Sequence, residues 1–261
     1  MKIRYISDIH TEFEDYSLTP LETDKESILV LAGDIGTLRG HERLVPFLRQ
    51  CNDMGFIKVL YILGNHEAYR EDINHYVQGY RDLLANNNLA NILLLENDTF
   101  DWVSGTEKVR FIGTTLWTDC NKNDWFFYQA VKNRMSDFIV IRNMEHRFTP
   151  QKSYELFTKA VGYIKAVLAN TDGTWKKVLV CHHGVTNQSI DPRFKGDALN
   201  GAFVSDLSKE LEEWGFDLCI HGHTHYDVDY PVGDKCRVVT CQVGYPKEGL
   251  RRKFVDKVLE I

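Results

Sequence analysis

Short, almost wholly apolar runs that alternate with amphipathic helical stretches restrict this chain more than any other feature. Ser27–Ala32 (Ser-Ile-Leu-Val-Leu-Ala) and Lys58–Leu63 (Lys-Val-Leu-Tyr-Ile-Leu) lack the polar alternation of a strand with one wet face. Runs of that kind belong to strands covered on both faces, as in sheets wrapped by helices. The same reading predicts strands over Lys2–Ser7, Asn91–Leu95, Val109–Gly113, Lys177–Cys181, Asp217–Ile220, Arg237–Val243 and Phe254–Glu260. Helical patterning predicts Glu42–Asp53, Tyr69–Ala85, Pro150–Asn170 and Val204–Trp214. Strands alternating with helices make the fold class α/β. The stretch 118–147 is polar, aromatic-rich and without period, and reads as an insertion overhanging a site. No repeat or Pro/Gly/Ser linker divides the chain, so 1–261 is expected to form a single domain.

Composition removes several classes of function. Acidic residues outnumber basic ones, 37 to 31, for a net charge of −6. That balance argues against a nucleic-acid partner or an anionic membrane, which call for a basic face. Apolar runs such as Ile28–Ala32 fall far short of the roughly 18 residues of a membrane span. The six cysteines form no C-x-x-C pair. Together with an amino end that carries charge between its apolar residues, they read as reduced thiols of a cytoplasmic protein.

The residues at the carboxyl ends of the strands carry the chemistry. Asp8-Ile9-His10 succeeds the first strand, Gly33-Asp34 the second and Gly64-Asn65-His66-Glu67 the third. His182-His183 comes directly after Lys177–Cys181, and His221-Gly222-His223-Thr224-His225 directly after Asp217–Ile220. Carboxyl ends of strands are where open α/β sheets build their sites, so these clusters can converge. Taken singly, each has a plain structural explanation: a Gly-Asp turn, an Asn turn, a core imidazole. One site explains all of them together. Carboxylate, imidazole and amide oxygen make a mixed ligand set for Mn, Fe, Zn or similar divalent ions. The set exceeds the four ligands of a structural zinc, and two metals sharing a carboxylate is the economical arrangement.

In this order the motifs resemble the calcineurin-like metallophosphoesterase superfamily: Asp8-x-His10, Gly33-Asp34, Gly64-Asn65-His66-Glu67, His182 and Gly222-His223-Thr224-His225. The resemblance implies a four-layer α/β/β/α sandwich of two packed mixed sheets. It also implies that Asp8, His10 and His225 hold one metal, Asn65, His182 and His223 the other, and that Asp34 bridges them. His66 would face the leaving group of a phosphate mono- or diester attacked by a metal-bridging hydroxide. The alternatives are a metal-binding module of the same fold with little catalysis, or a metal-dependent nuclease. His182 is preferred to His183 as ligand because it directly follows the apolar run.

One departure stands out. Many members of the superfamily carry a second Asp three residues after the bridging one, where it orients the catalytic His. Here that place is Thr37, which offers no carboxylate, so another group must replace it or His66 acts with less help. A narrower similarity, to a small-phosphoesterase branch, covers Gly196-Asp197-Ala198-Leu199-Asn200-Gly201-Ala202-Phe203-Val204-Ser205-Asp206-Leu207. Met135-Ser136-Asp137-Phe138, in the insertion, resembles a second segment of that branch. Structurally, Asn200 or Ser205 would cap a helix. Arg134, His183 and Asn200 are the expected contacts to a small-molecule phosphoester substrate.

Overall fold

The computed structural model describes residues 1–249 and 257–261. Its strands are β1 (Lys2–Ile6), β2 (Ser27–Ala32), β3 (Lys58–Ile62), β4 (Ile92–Leu94), β5 (Asp98–Ser104), β6 (Glu107–Thr114), β7 (Arg142–Asn143), β8 (His146–Arg147), β9 (Lys176–Cys181), β10 (Leu218–His221), β11 (Asp229–Val232), β12 (Cys236–Thr240) and β13 (Lys257–Glu260). The longer helices are α1 (His41–Asp53), α2 (Tyr76–Asn86), α3 (Trp125–Val131), α4 (Pro150–Ala169) and α5 (Ser208–Trp214). One sheet has the order β13-β1-β2-β3-β4 and the other β11-β12-β10-β9-β6-β5. β1 through β4 pair in parallel, as do β6, β9, β10 and β12, while β13, β5 and β11 pair antiparallel at the edges.

The apolar strands are covered on both faces because the sheets pack on each other. Ile28, Val30 and Ala32 of β2 lie in one cluster with Val178 and Val180 of β9, between the sheets. The intervening Leu29 and Leu31 pack instead with Leu44, Phe47 and Leu48 of α1 and with Tyr80 of α2. On the far side, Leu179 and Cys181 of β9 meet Ala160 and Ile164 of α4 and Leu211 of α5. Strand alternation thus sorts side chains into three clusters, the cores of a four-layer α/β/β/α sandwich.

Two helices are shorter than expected, for local reasons. The pattern at 69–85 becomes helical only from Tyr76, because 71–73 bond to the insertion. Arg142 N–H donates to Glu71 O at 3.0 Å and Ile73 N–H to Arg142 O at 2.9 Å. Arg70 also takes a left-handed φ of 65°. The pattern at 204–214 starts at Ser208, since Val204 bridges to Gly184 and the Asp206 carboxylate accepts from Ser208 N–H at 3.2 Å. Asp206, not Asn200 or Ser205, therefore serves that helix end. The sequence reading passes over β5, β7, β8 and β11, and its strand at Phe254–Glu260 is described only from Lys257. Among the described residues no helix is long and apolar enough to cross a membrane, and no disulfide links any of the six cysteines.

One buried ion pair fastens β1 to the turn before β2. The Arg4 guanidinium donates to both Asp24 carboxylate oxygens at 2.9 Å, with side-chain exposures of 1% and 3%. Removing one member of such a pair leaves the other charge buried alone. Asp24→Ala should cost about 3–5 kcal/mol in urea unfolding; a loss below about 1 kcal/mol, the range of an exposed pair, would contradict this role.

Candidate metal centre

The loops leaving β1, β2, β3, β9 and β10 meet at the carboxyl edge of the two sheets. Their backbones are unusual. Asp8, His10, Asp34, His223 and His225 all have φ between 47° and 72°, a region costly for residues other than glycine. Crossed backbone bonds hold them there: Asp8 N–H to Gly33 O at 3.0 Å and His10 N–H to Asp34 O at 2.9 Å. Gly64 is required by close approach, because a Cβ would stand 2.2 Å from Asp34 Oδ1. Glu67, wholly buried, ties the β2 and β3 loops together. It accepts from the backbone N–H of Gly64, Asp34 and Ile35 at 2.8, 3.0 and 2.8 Å, and from the Tyr61 hydroxyl at 2.8 Å. Burial and the Asp34 charge push its carboxyl up to about 7, against the pull of the Tyr61 and Ile35 donors.

Two sets of donor atoms result, with Asp34 between them. In one, His225 Nε2 lies 3.3 Å from Asp8 Oδ1 and 3.2 Å from His10 Nε2, which is 3.7 Å from Asp34 Oδ2. In the other, His182 Nε2 lies 3.4 Å from Asp34 Oδ1 and 3.0 Å from Asn65 Oδ1, and His223 completes the cluster. The second nitrogen of several rings is already engaged. His182 Nδ1 donates to Ala32 O at 2.9 Å, His10 Nδ1 to Glu12 Oε1 at 3.2 Å and His225 Nδ1 to Glu248 Oε2 at 2.7 Å. Such bonds fix the tautomer and turn the Nε2 lone pair toward the other donors.

That arrangement fits a pair of cations. His10 Nε2 and His225 Nε2 face each other at 3.2 Å, a contact two lone pairs cannot make, and His182 Nε2 faces two oxygens. Only a proton or a metal reconciles these contacts. Among the described residues, His223 Nε2 is buried without a hydrogen-bond partner. A third grouping, His10, Glu12 and His66, shares a member with the first set, and its carboxylate already bonds both imidazoles. It reads as support for the site.

The structure also shows what stands in for the missing carboxylate. Thr37 only caps a turn, accepting from Gly40 N–H at 3.1 Å. Glu12, two residues beyond His10, accepts from His66 Nδ1 at 2.8 Å instead. Tyr245 bonds His66 Nε2 at 2.9 Å, and Tyr69 stacks on the ring at 4.1 Å. Burial pulls the His66 pKa down, but the Asp34 charge and the Glu12 bond outweigh it and raise the pKa.

All seven expected ligands and His66 gather here. The insertion reaches the site through Asp137, whose Oδ1 accepts from Asn65 Nδ2 at 2.8 Å and so aims the amide oxygen at His182. Arg134, by contrast, is exposed, and its side chain bonds to none of these residues. His183 is buried behind His223, ring centroids 4.3 Å apart, and burial with the His182 charge lowers it to about 3. Asn200 lines a cavity beside Phe203, whose ring lies 4.9 Å from that of His223. Sequence reasoning gives no role to Glu12, Asp137, Tyr245 or Glu248. Two of these carry a signal: Glu12 is the next alternate residue after Asp8 and His10, and Asp137 lies in the segment similar to the small-phosphoesterase branch.

The family profile of calcineurin-like phosphoesterases matches residues 1–227, and the chain belongs to that family. It is accordingly a metal-dependent phosphoester hydrolase. The fold is similar to that of a phosphopantetheinyl hydrolase from Mycobacterium tuberculosis, with a TM-score of 0.73 at 20% identity, covering 100% of this chain and 95% of that one. It is also similar to a putative 5'-nucleotidase from Staphylococcus aureus, with a TM-score of 0.50 at 16% identity, covering 92% of this chain and 48% of that one. Comparison with curated proteins gives no significant match.

The electrostatics predict proton release on metal binding. Burial lowers the His182 and His225 pKa values, but Asp34 lifts His182 to about 9, and bonds to Asp8 and Glu248 lift His225 to about 10. Both rings are therefore protonated at pH 7 in the metal-free protein, and a cation enters only as those protons leave. Calorimetric Mn²⁺ titration at pH 7, in buffers of different ionisation enthalpy, should show release of about two protons, one per imidazole. Affinity should rise with pH up to about 10. Binding without proton release would contradict the assignment.

Proposed function

We propose that this protein hydrolyses a small-molecule phosphate mono- or diester at two divalent ions (Mn, Fe or Zn), with 1–261 acting as one domain in a reducing, cytoplasmic setting. Asp8, His10 and His225 hold the first ion, Asn65, His182 and His223 the second. The observation that carries this reading is Asp34, whose two carboxylate oxygens face the two donor sets. The ions would supply Lewis acidity, making hydroxide available near neutral pH and holding the non-bridging phosphate oxygens. The pairing of β13 with β1 supports the single domain. Six buried cysteines with no disulfide among the described residues support the compartment.

The chain's own residues do the rest. Backbone strain and Glu67 hold the ligands in place before any cation arrives. His66 gives its Nε2 proton to the departing oxygen, in the direction now taken by the Tyr245 hydroxyl. Glu12 accepts from Nδ1, orients the ring and stabilises its protonated form. A carboxylate at this place removes the main argument for a catalytically idle module.

Asp34→Asn removes the shared negative charge and should deplete both metals, whereas Asn65→Ala should mainly deplete one. Elemental analysis finding two tightly held metals in Asp34→Asn would count against the bridge. His66→Ala should keep its metals and lose about 10²–10⁴-fold of its turnover on alkyl phosphates, which need a proton on the leaving oxygen. The loss should be small on 4-nitrophenyl esters, whose leaving group departs as an anion. Glu12→Gln should show the same leaving-group dependence in milder form. Equal losses on both ester types would overturn the acid role.

A further inference from the structure

Beside the second donor set, among residues that do not include those around His66, the site is hollow. A cavity of about 170 Å³ is lined by Ile190, Phe194, Leu199 and Phe203, with Thr224 at one side. Thr224 stands between His223 and His225, and the Phe203 ring lies 4.9 Å from that of His223, so the cavity adjoins the second donor set. The rings around His66 are a different group, Tyr69, Tyr245 and Phe13, at centroid distances of 4.1, 5.8 and 6.4 Å. If the leaving oxygen departs beside His66, a group in the cavity belongs to the part of the substrate that stays on phosphorus. A monoester has no such part.

From this geometry we infer that the substrate is a phosphodiester whose retained arm is neutral, apolar and about the size of a phenyl ring, seated against Phe203 and Phe194. The inference rests on the phosphoesterase reading and names the substrate class for it. Size and charge both fit. An apolar cavity of about 150 Å³ accepts a benzene-sized guest. Asp191 and Asp197 also line the hollow. Arg193 neutralises Asp191, with Nε at 2.8 Å and Nη2 at 2.5 Å, while among the described residues the Asp197 side chain accepts only from the backbone N–H of Leu199. The remaining negative charge repels a second phosphate and tolerates an uncharged arm. In the reaction one water adds its oxygen to phosphorus and the bond to the leaving oxygen breaks. His66 protonates that oxygen and regains its proton from the water. The product is a phosphate monoester that keeps the apolar arm.

The test uses the full chain with Mn²⁺ and diesters that share a 4-nitrophenyl leaving group but carry methyl, propyl or benzyl as the second arm. A common leaving group makes the His66 step the same throughout. KM should fall about fourfold per methylene buried. Phe194→Ala, at a residue 52% exposed and so safe for folding, should shrink the benzyl-over-methyl preference about tenfold. Leu199→Trp, which fills the hollow, should erase it. Equal KM values across the series overturn the inference, as does a preference lost in Phe13→Ala but kept in Phe194→Ala. If no ester is hydrolysed although two Mn²⁺ are bound, the phosphoesterase reading itself fails. Calorimetry of benzyl phosphate against methyl phosphate then judges the cavity alone: tighter benzyl binding, lost in Leu199→Trp, supports it, and equal Kd values overturn it.

Discussion

The carboxylate of Glu67 is the fixed point of this structure. It is wholly buried yet accepts from the backbone of two separate loops and from a tyrosine hydroxyl, so its desolvation is offset in part by these donors. One loop ends β2 and carries Asp34; the other ends β3 and carries Asn65 and His66. With Glu67 between them, Asp34 Oδ1 accepts from His66 N–H at 2.9 Å, and that carboxylate loses its rotational freedom. Shortening Glu67 to Ala would orphan several buried N–H groups at once, beside the residues that need the most exact placement.

The fold supplies the second condition. Parallel strands release their loops at a single edge, and packing the two sheets face to face brings the β1, β2 and β3 loops against those of β9 and β10. The left-handed conformations of Asp8, His10, Asp34, His223 and His225 would be unfavourable in isolation. Here each is held by bonds to a neighbouring loop, such as His223 N–H to Asp8 Oδ1 at 2.9 Å. The strain and the crowded donors explain each other: both are borne by residues whose side chains converge on one place. Electrostatics obey the same logic. Asp34 and Asp8 are fully enclosed, and imidazolium neighbours hold both carboxyls below their usual range despite burial.

Much of this is legible in the sequence because it is written locally. β2 matches its expected limits residue for residue, since a fully apolar run is a strong signal. The candidate ligand clusters are legible because each is a short motif at a strand end. What escapes is what depends on tertiary pairing. Residues 71–73 have helical periodicity but bond to Arg142 instead. β5 is mostly exposed and gains its identity from β6 across a hairpin. The supporting side chains Tyr245 and Glu248 lie 179 and 23 residues from the side chains they serve, separations that no local pattern reveals. Glu12 shows the limit most clearly. The absence of a carboxylate at Thr37 is visible in the sequence, but that Glu12 fills the role is visible only where His66 Nδ1 ends.

The central claim is that Asp34 lies between two cations. Anomalous diffraction from crystals grown with Mn²⁺ tests it most directly. The account predicts two peaks about 3.5–4 Å apart, one beside His10 and His225 and one beside His182 and Asn65, with an Asp34 oxygen against each. A single peak, or two peaks with Asp34 touching neither or only one, would contradict it.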